Sequence, residues 1–263
     1  MDQITKSRII SDGLSLNDVE AVISAQHVDD LWQFLSNWLS EFGFTRIIYG
    51  NTRFNSMNSF GDPSDFMILT TLPSDYVRQF IEDRLFFSGP MLLWAKDNVG
   101  AKSWSLMAEM LDGKELSSSE RKVLELNQKF NLTAGYTLSF GGASKRHKAA
   151  MGLATESDKD QDYVDALWSE HGRKILAFCN VAHLKLMDLP FSSKDRNMTS
   201  RQREVLEWVG EGKTTQDIAQ ILELTPATVE KHLRRAREVL NVDTTAQAVL
   251  KASLHNQIYI KNK

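Results

Sequence analysis

The chain has 263 residues, 31 Lys and Arg against 34 Asp and Glu, a formal net charge of -3, and 42% hydrophobic residues. That balance describes an ordinary globular protein with length for one or two domains, each able to bury its own core. A single cysteine, Cys179, excludes an intrachain disulfide and any cysteine-based zinc site, and it suits a reducing compartment such as the cytoplasm.

The opening Met-Asp-Gln is followed by no apolar run, so no secretory signal is expected. Apolar clusters such as Phe66-Met67-Ile68-Leu69 fall far short of the roughly 18 residues that a membrane span needs. Helical spacing comes first, with Val19, Val22, Ile23, Leu31, Phe34, Leu35, Trp38 and Leu39 recurring three and four apart. Residues 46–54 and 66–72, rich in Ile, Tyr, Phe and Thr, predict strands, and Pro73-Ser74-Asp75 predicts the entry to a helix running through Phe80. Residues 133–140 and 149–155 predict two more strands, joined by Gly141-Gly142-Ala143-Ser144 and the basic Lys145-Arg146-His147-Lys148. A helix over 160–187 follows, with Val164, Leu167, Ile175, Phe178 and Val181 on its apolar side. Helices flanking a block of strands predict an α/β/α sandwich.

Residues 189–198, which contain Pro190 and a run of small and polar residues without apolar period, read as a linker between a domain at 1–188 and another at 199–263. Charge is unevenly shared across it. From Phe191 onward there are 12 basic and 9 acidic residues, leaving -6 on the preceding 190, the asymmetry of an acidic body joined to a nucleic-acid-binding module. The tail is all helix, with four short helices expected at about 200–210, 215–222, 226–240 and 245–256 from their caps. Thr199 with Gln202 and Thr244 with Gln247 have capping-box spacing. Thr225 followed by Pro226 marks the third helix start, and Gly212 suits a left-handed stop after the first helix. Overall the chain reads as α+β, a sandwich followed by a four-helix all-α domain.

Only Glu223-Leu224-Thr225 separates the second and third tail helices, a connection so short that the helices must cross as in a helix-turn-helix. Val229, Leu233, Ala236 and Leu240 form one inward stripe on the third helix, leaving Thr225, Ala227, Thr228, Glu230, Lys231, Arg234, Arg235 and Arg237 outward. Short polar groups at the N-terminal end suit base edges, and cations further along suit phosphates, so Thr225, Thr228, Lys231, Arg234 and Arg235 are the expected contacts to double-stranded DNA. The run Met198-Thr199-Ser200-Arg201-Gln202-Arg203-Glu204-Val205-Leu206, with Glu211-Gly212-Lys213-Thr214-Thr215-Gln216-Asp217-Ile218-Ala219 and Leu224-Thr225-Pro226-Ala227-Thr228-Val229-Glu230-Lys231-His232, resembles the LuxR-type helix-turn-helix domain. Gln202 stands where that family usually has Glu; it can still close the capping box but carries no charge. His232 occupies the family's histidine position and is expected to be packed or phosphate-facing.

The first 190 residues lack the acidic pair, acceptor Asp and Lys of a phospho-receiver. Leu72-Pro73-Ser74-Asp75-Tyr76-Val77-Arg78-Gln79-Phe80, Gly89-Pro90, Trp104 and Phe130-Asn131-Leu132-Thr133-Ala134-Gly135-Tyr136-Thr137 resemble the autoinducer-binding domain of quorum-sensing LuxR regulators. The resemblance implies a pocket containing Tyr76, Phe80, Gly89 and Trp104, with the family's lactone-binding Trp replaced by Tyr76, its Tyr by Phe80, and the Asp that accepts the ligand amide by Gly89. Trp104 is retained, a Ser or Thr near the pocket end corresponds to Gly152, and Phe86, Phe87 and Trp94 are expected to add aromatic walls. Losing the carboxylate removes about 1.5–3 kcal/mol and losing the phenol about 0.5–1.5 kcal/mol, which disfavours an acyl-homoserine lactone bound in the usual way. Two readings stay open at this level: a different, less polar or lactone-like small-molecule signal, or a filled cavity in a regulator that needs no signal. No cofactor is implied.

The expected function is DNA-binding transcriptional regulation of the LuxR type, as an atypical or orphan member acting as a homodimer. Lactone-dependent activation of the conventional kind, and sequestration of another regulator, are the alternatives. An enzyme is not expected: the sequence holds no Gly-x-Ser-x-Gly, His-Glu-x-x-His or phosphate-loop glycine pattern, and its six histidines lack ligand spacing. Cys179 falls inside an amphipathic helical pattern and is expected to be a buried structural thiol.

Overall fold

The computed structural model describes residues 15–54, 62–107, 116–142, 144, 146–191 and 197–260, and the chain divides into two compact units, Met1–Met187 and Asp188–Lys263. The expected 141–144 turn and the basic run after it lie partly outside the described residues, as does the linker over 192–196.

The first unit opens with α1 (Leu16–Ser24) and α2 (Val28–Ser40). The continuous apolar spacing is broken between them by an extended His27, while α2 buries Leu31, Leu35, Trp38 and Leu39 along one stripe. Five antiparallel strands follow, β1 (Arg46–Thr52), β2 (Met67–Thr70), β3 (Gly100–Ser103), β4 (Gly135–Phe140) and β5 (Lys148–Ala154), in the order β2-β1-β5-β4-β3. Between them lie α3 (Ser74–Glu82), α4 (Pro90–Asp97) and α5 (Ser118–Lys129), and α6 (Gln161–Asp188) closes the unit.

Alternation along β1 sorts the two faces of the sheet. Ile47 and Tyr49 are fully buried on the side of α6, where the Tyr49 hydroxyl lies 2.9 Å from His183 Nδ1. Trp38 of α2 packs in turn on Phe178 of α6, ring centroids 4.2 Å apart. On the opposite face Ile48 packs with Leu72, Tyr76, Val123, Leu126 and Leu132 from the α3 and α5 side. The result is the expected α/β/α layering. Three elements were absent from the sequence expectation: α4, β3 and α5. Two of them carried local signals, Pro90 at the first turn of α4 and a Ser117–Glu120 capping box opening α5, whereas the Gly-Ala-Lys-Ser of β3 has neither β-branched nor aromatic residues.

The second unit contains α7 (Ser200–Gly210), α8 (Thr215–Ile221), α9 (Pro226–Leu240) and α10 (Thr245–Leu254). Its core joins Val205, Leu206, Ile218, Val229, Leu233, Ala236, Leu240, Ala248 and Ala252. Gly212 has φ +80°, the left-handed stop expected of it. Gln202 closes the first capping box: its backbone N–H donates to Thr199 Oγ1 and its side chain accepts from the Thr199 N–H. The beginning of the expected linker, however, is fixed onto this unit. Asn256 Nδ2 donates to the Asp188 carbonyl at 3.0 Å, Gln257 Nε2 donates to the Phe191 carbonyl, and Leu189 is 4% exposed. Leu189 is buried and Phe191 half-buried while Pro190 is exposed, so Pro190 stiffens a docked segment rather than a free one.

Candidate ligand cavity and nucleic-acid interface

A cavity of about 170 Å³ lies between the sheet and the helices on its β1–Ile48 face. Tyr76, Phe80, Gly89 and Trp104 all line it, and so does Gly152. Tyr76 is held by three contacts: its hydroxyl donates to Asn127 Oδ1 at 3.0 Å, its ring stacks on Phe80 at 5.6 Å and 15°, and Phe130 meets it edge-on at 5.4 Å. Burial pushes its phenol above the ordinary range, so the group stays protonated and remains a donor. Trp104 lies against two positions without Cβ atoms, Gly135 and Gly152, and its indole N–H donates to Thr137 Oγ1 at 2.8 Å.

Gly89 is the N-cap of α4 and makes no side-chain cap bond. An Asp or Ser would ordinarily supply that bond, so here the first turn of α4 meets the cavity with Pro90, Met91 and Leu92 and no polar cap side chain. Among the described residues no Asp or Glu lines the cavity. Two expectations are corrected: Phe87 and Trp94 do not line the cavity. In the single turn Leu85–Phe87 neighbouring side chains diverge, and only Phe86 turns inward, with Phe87 packed on it at 4.4 Å. Trp94 sits one turn beyond the Pro90–Leu92 end of α4 that faces the cavity. Sequence reasoning missed Phe66, Asn127 and Thr137 as lining groups. Asn127 was legible only through α5, four positions after Val123 on the same helix face.

The opposite face of the sheet holds a buried polar cluster. Arg53, 5% exposed, donates from Nη2 to the Met187 carbonyl at 2.6 Å, and Asn51 Nδ2 lies 3.0 Å from Met187 Sδ. His183 stacks on Phe140 at 4.5 Å, and burial, then Arg53 and His147, bring its pKa down to about 4. Cys179 is buried and its thiol is pushed up by that burial, the environment of an inert packing residue.

In the second unit α8 and α9 are joined through Glu223 at φ +55° and a Leu224 packed against the core. Val229, Leu233, Ala236 and Leu240 are buried as the stripe predicts. Thr225 caps α9, accepting from the Thr228 N–H at 3.2 Å, and the two hydroxyls lie 2.9 Å apart. Lys231, Arg234 and Arg235 are exposed on the other face. Arg234 makes an i,i+4 pair with Glu238 at 3.0 Å, a contact that an exposed partner holds weakly. Arg237, expected to face outward with them, is instead a bracket: it donates to Glu230 Oε1 and to Thr245 Oγ1 at the start of α10. One position of helical rotation separates it from the exposed arc. His232 is half-buried, and its protonation is disfavoured by burial and by Arg201, Arg235 and Lys231, three cations that make this surface positive.

Residues 27–186 match the family model for an autoinducer binding domain, and residues 196–252 match that of bacterial regulatory proteins of the luxR family. The transcriptional activator AnoR of Acinetobacter nosocomialis is 25% identical over 239 residues, covering 89% of this chain and 94% of that one. The transcriptional activator LuxR of Aliivibrio fischeri is 24% identical over 204 residues, covering 75% and 78%. Among solved structures, SdiA in complex with octanoyl-rac-glycerol superposes with a TM-score of 0.50 at 14% identity, over 94% of this chain and 96% of that one, which speaks to the fold. A sheet domain with an apolar cavity, followed by a capped helix-turn-helix, both matched by their family models, is the architecture of one group: the chain belongs to the LuxR family of transcriptional regulators.

Proposed function

We propose that this chain is an atypical LuxR-type regulator that binds double-stranded DNA as a homodimer without requiring an acyl-homoserine lactone held in the family's usual way. The observation that carries this reading is the cavity wall at Gly89, a position with no side chain to accept a ligand N–H, and among the described residues no carboxylate lines the cavity in its place. Tyr76 and Phe80, stacked on one another, extend the apolar character of the wall. On the DNA side, Lys231, Arg234 and Arg235 would contact phosphates, and Thr225 and Thr228, at the N-terminal end of α9, would approach base edges. One helix-turn-helix offers too few contacts for tight specific binding, and a two-fold pair doubles them.

Selection of bound duplexes from a random-sequence library by the purified full chain, with and without N-octanoyl homoserine lactone, tests the reading. The expected result is a two-fold-symmetric site recovered equally well in both conditions. Recovery only in the presence of lactone, or a nanomolar lactone affinity by calorimetry, makes the chain a conventional lactone-dependent activator. Sedimentation of a monomer at micromolar concentration, with and without the selected DNA, refutes the dimer.

A further inference from the structure

We infer that the cavity of the first unit selects a neutral, long-chain oxygen-acceptor ligand, an ester or a ketone, and discriminates against molecules that bring an N–H donor or a carboxylate. This rests on the cavity being a ligand site, and it adds the chemistry of the occupant.

The direction of the internal hydrogen bonds decides what is left for a guest. Tyr76 donates to Asn127 Oδ1, so the amide oxygen is engaged while its NH2 is not; among the described residues Nδ2 has no acceptor. Thr137 Oγ1 receives the Trp104 indole N–H, and among the described residues the Thr137 hydroxyl proton has no acceptor either. Two donors on the cavity wall are therefore unspent, while both side-chain oxygens already accept. The imbalance matters because a guest that closes over these donors must supply acceptors or leave them unpaired, whereas an oxygen that already accepts once keeps a partner. A guest that supplies oxygen acceptors corrects it, and a guest that adds another N–H worsens it.

Charge points the same way. Among the described residues the lining holds no acidic side chain to serve a cationic guest as counterion. The two cations at the wall are already engaged: Arg46 donates to the carbonyls of Phe130 and Asn131 and pairs with Glu156 at 3.5 Å, and Lys148 Nζ reaches the Asn98 carbonyl at 3.4 Å. A carboxylate would have to break those contacts and then be desolvated against an aromatic wall. The remaining surface, Phe66, Phe80, Phe86, Met91 and Met107 among others, suits a hydrocarbon chain.

The test is calorimetric titration of the full chain with four probes of matched length: methyl decanoate, 2-undecanone, N-methyldecanamide and decanoate. The ester and ketone should bind at least tenfold more tightly than the amide or the carboxylate, since a site built around hydrogen bonds rejects a mismatched analogue strongly. Asn127→Leu, which removes the free NH2, should shrink the ester preference to under threefold, and Asn127→Asp, which places an acceptor in the same volume, should turn it towards the amide. Circular dichroism and affinity for the selected DNA report that each variant is folded. Amide or carboxylate binding as tight as ester binding, an Asn127→Asp variant that keeps the ester preference, or no heat from any of the four probes overturns the inference. A lactone requirement for DNA binding would instead overturn the regulatory reading above, and the probe ranking would still stand or fall on its own.

Discussion

Three glycines spread across the sheet of the first unit present three different surroundings to an added methyl group, and the series Gly135→Ala, Gly152→Ala and Gly50→Ala should separate accordingly. At Gly135 on β4 a Cβ would run into the Leu153 carbonyl of the paired strand and come within 3.0 Å of the Trp104 ring. The carbonyl belongs to a ladder and cannot swing aside, so β4 and β5 must part locally or the ring must leave its place against the sheet. Overpacking of that kind costs about 1–3 kcal/mol. For a domain of this size each kcal/mol lowers Tm by about 2–4 °C, which predicts a fall of roughly 2–12 °C. At Gly152 on β5 the nearest atoms are Ile48 Cγ2 at 3.2 Å and the Trp104 ring at 3.8 Å. A methyl group that can yield by tenths of an ångström limits the loss to about 1 kcal/mol. At Gly50, on β1 and also lining the cavity, nothing lies within 4 Å; replacing a strand glycine there should be neutral or stabilise by about 0.5 kcal/mol. Calorimetric melting of the three variants reads the order directly. A Gly135→Ala protein melting within 1 °C of wild type, or a Gly50→Ala protein losing as much as Gly135→Ala, would refute the idea that the Trp104 cradle requires glycine.

Lys231→Ala and Arg235→Ala should leave Tm unchanged, because both side chains are exposed, while each lowers DNA affinity and reduces the slope of log affinity against log salt by about one; unchanged binding by the double variant would show that the wrong face of α9 has been identified. Arg237→Ala should do the reverse, destabilising the helical unit by about 1 kcal/mol through loss of its bonds to Glu230 and Thr245, with the salt slope unaltered. The buried His183, beside Tyr49, Arg53 and His147, has its pKa lowered from 6.5 to about 4, so the unfolded chain takes up its proton first. Stability from keeping it neutral is therefore full above pH 6.5 and lost as pH falls towards 4, about 2 kcal/mol of it by pH 5. Urea unfolding of wild type and His183→Asn at pH 7 and 5 measures this, and an equal loss in both proteins would assign the acid sensitivity to another group.

The helical tail was legible almost residue by residue because its information is local. Thr199 with Gln202 and Thr225 before Pro226 state where helices begin, and a three-residue connection between amphipathic segments leaves one crossing geometry. The sheet was legible as strands through β-branched and aromatic runs, and Gly89 was legible in the sequence itself as a missing carboxylate. What no pattern in the chain could state was pairing across distance. The strand order β2-β1-β5-β4-β3 brings Gly152 of β5 and Gly135 of β4 beneath the same Trp104 ring, and the packing of α3 on α5 brings Tyr76 to Asn127, 51 residues further along. Arg237 shows the same limit inside the tail: its helical position allowed exposure, and only the docking of α10 turned it inward. Periodicity reports which side chains share a face, since that follows from backbone geometry alone. Which donor meets which acceptor depends on how whole elements settle against one another, and so the hydrogen-bond polarity of the cavity belongs to the tertiary structure.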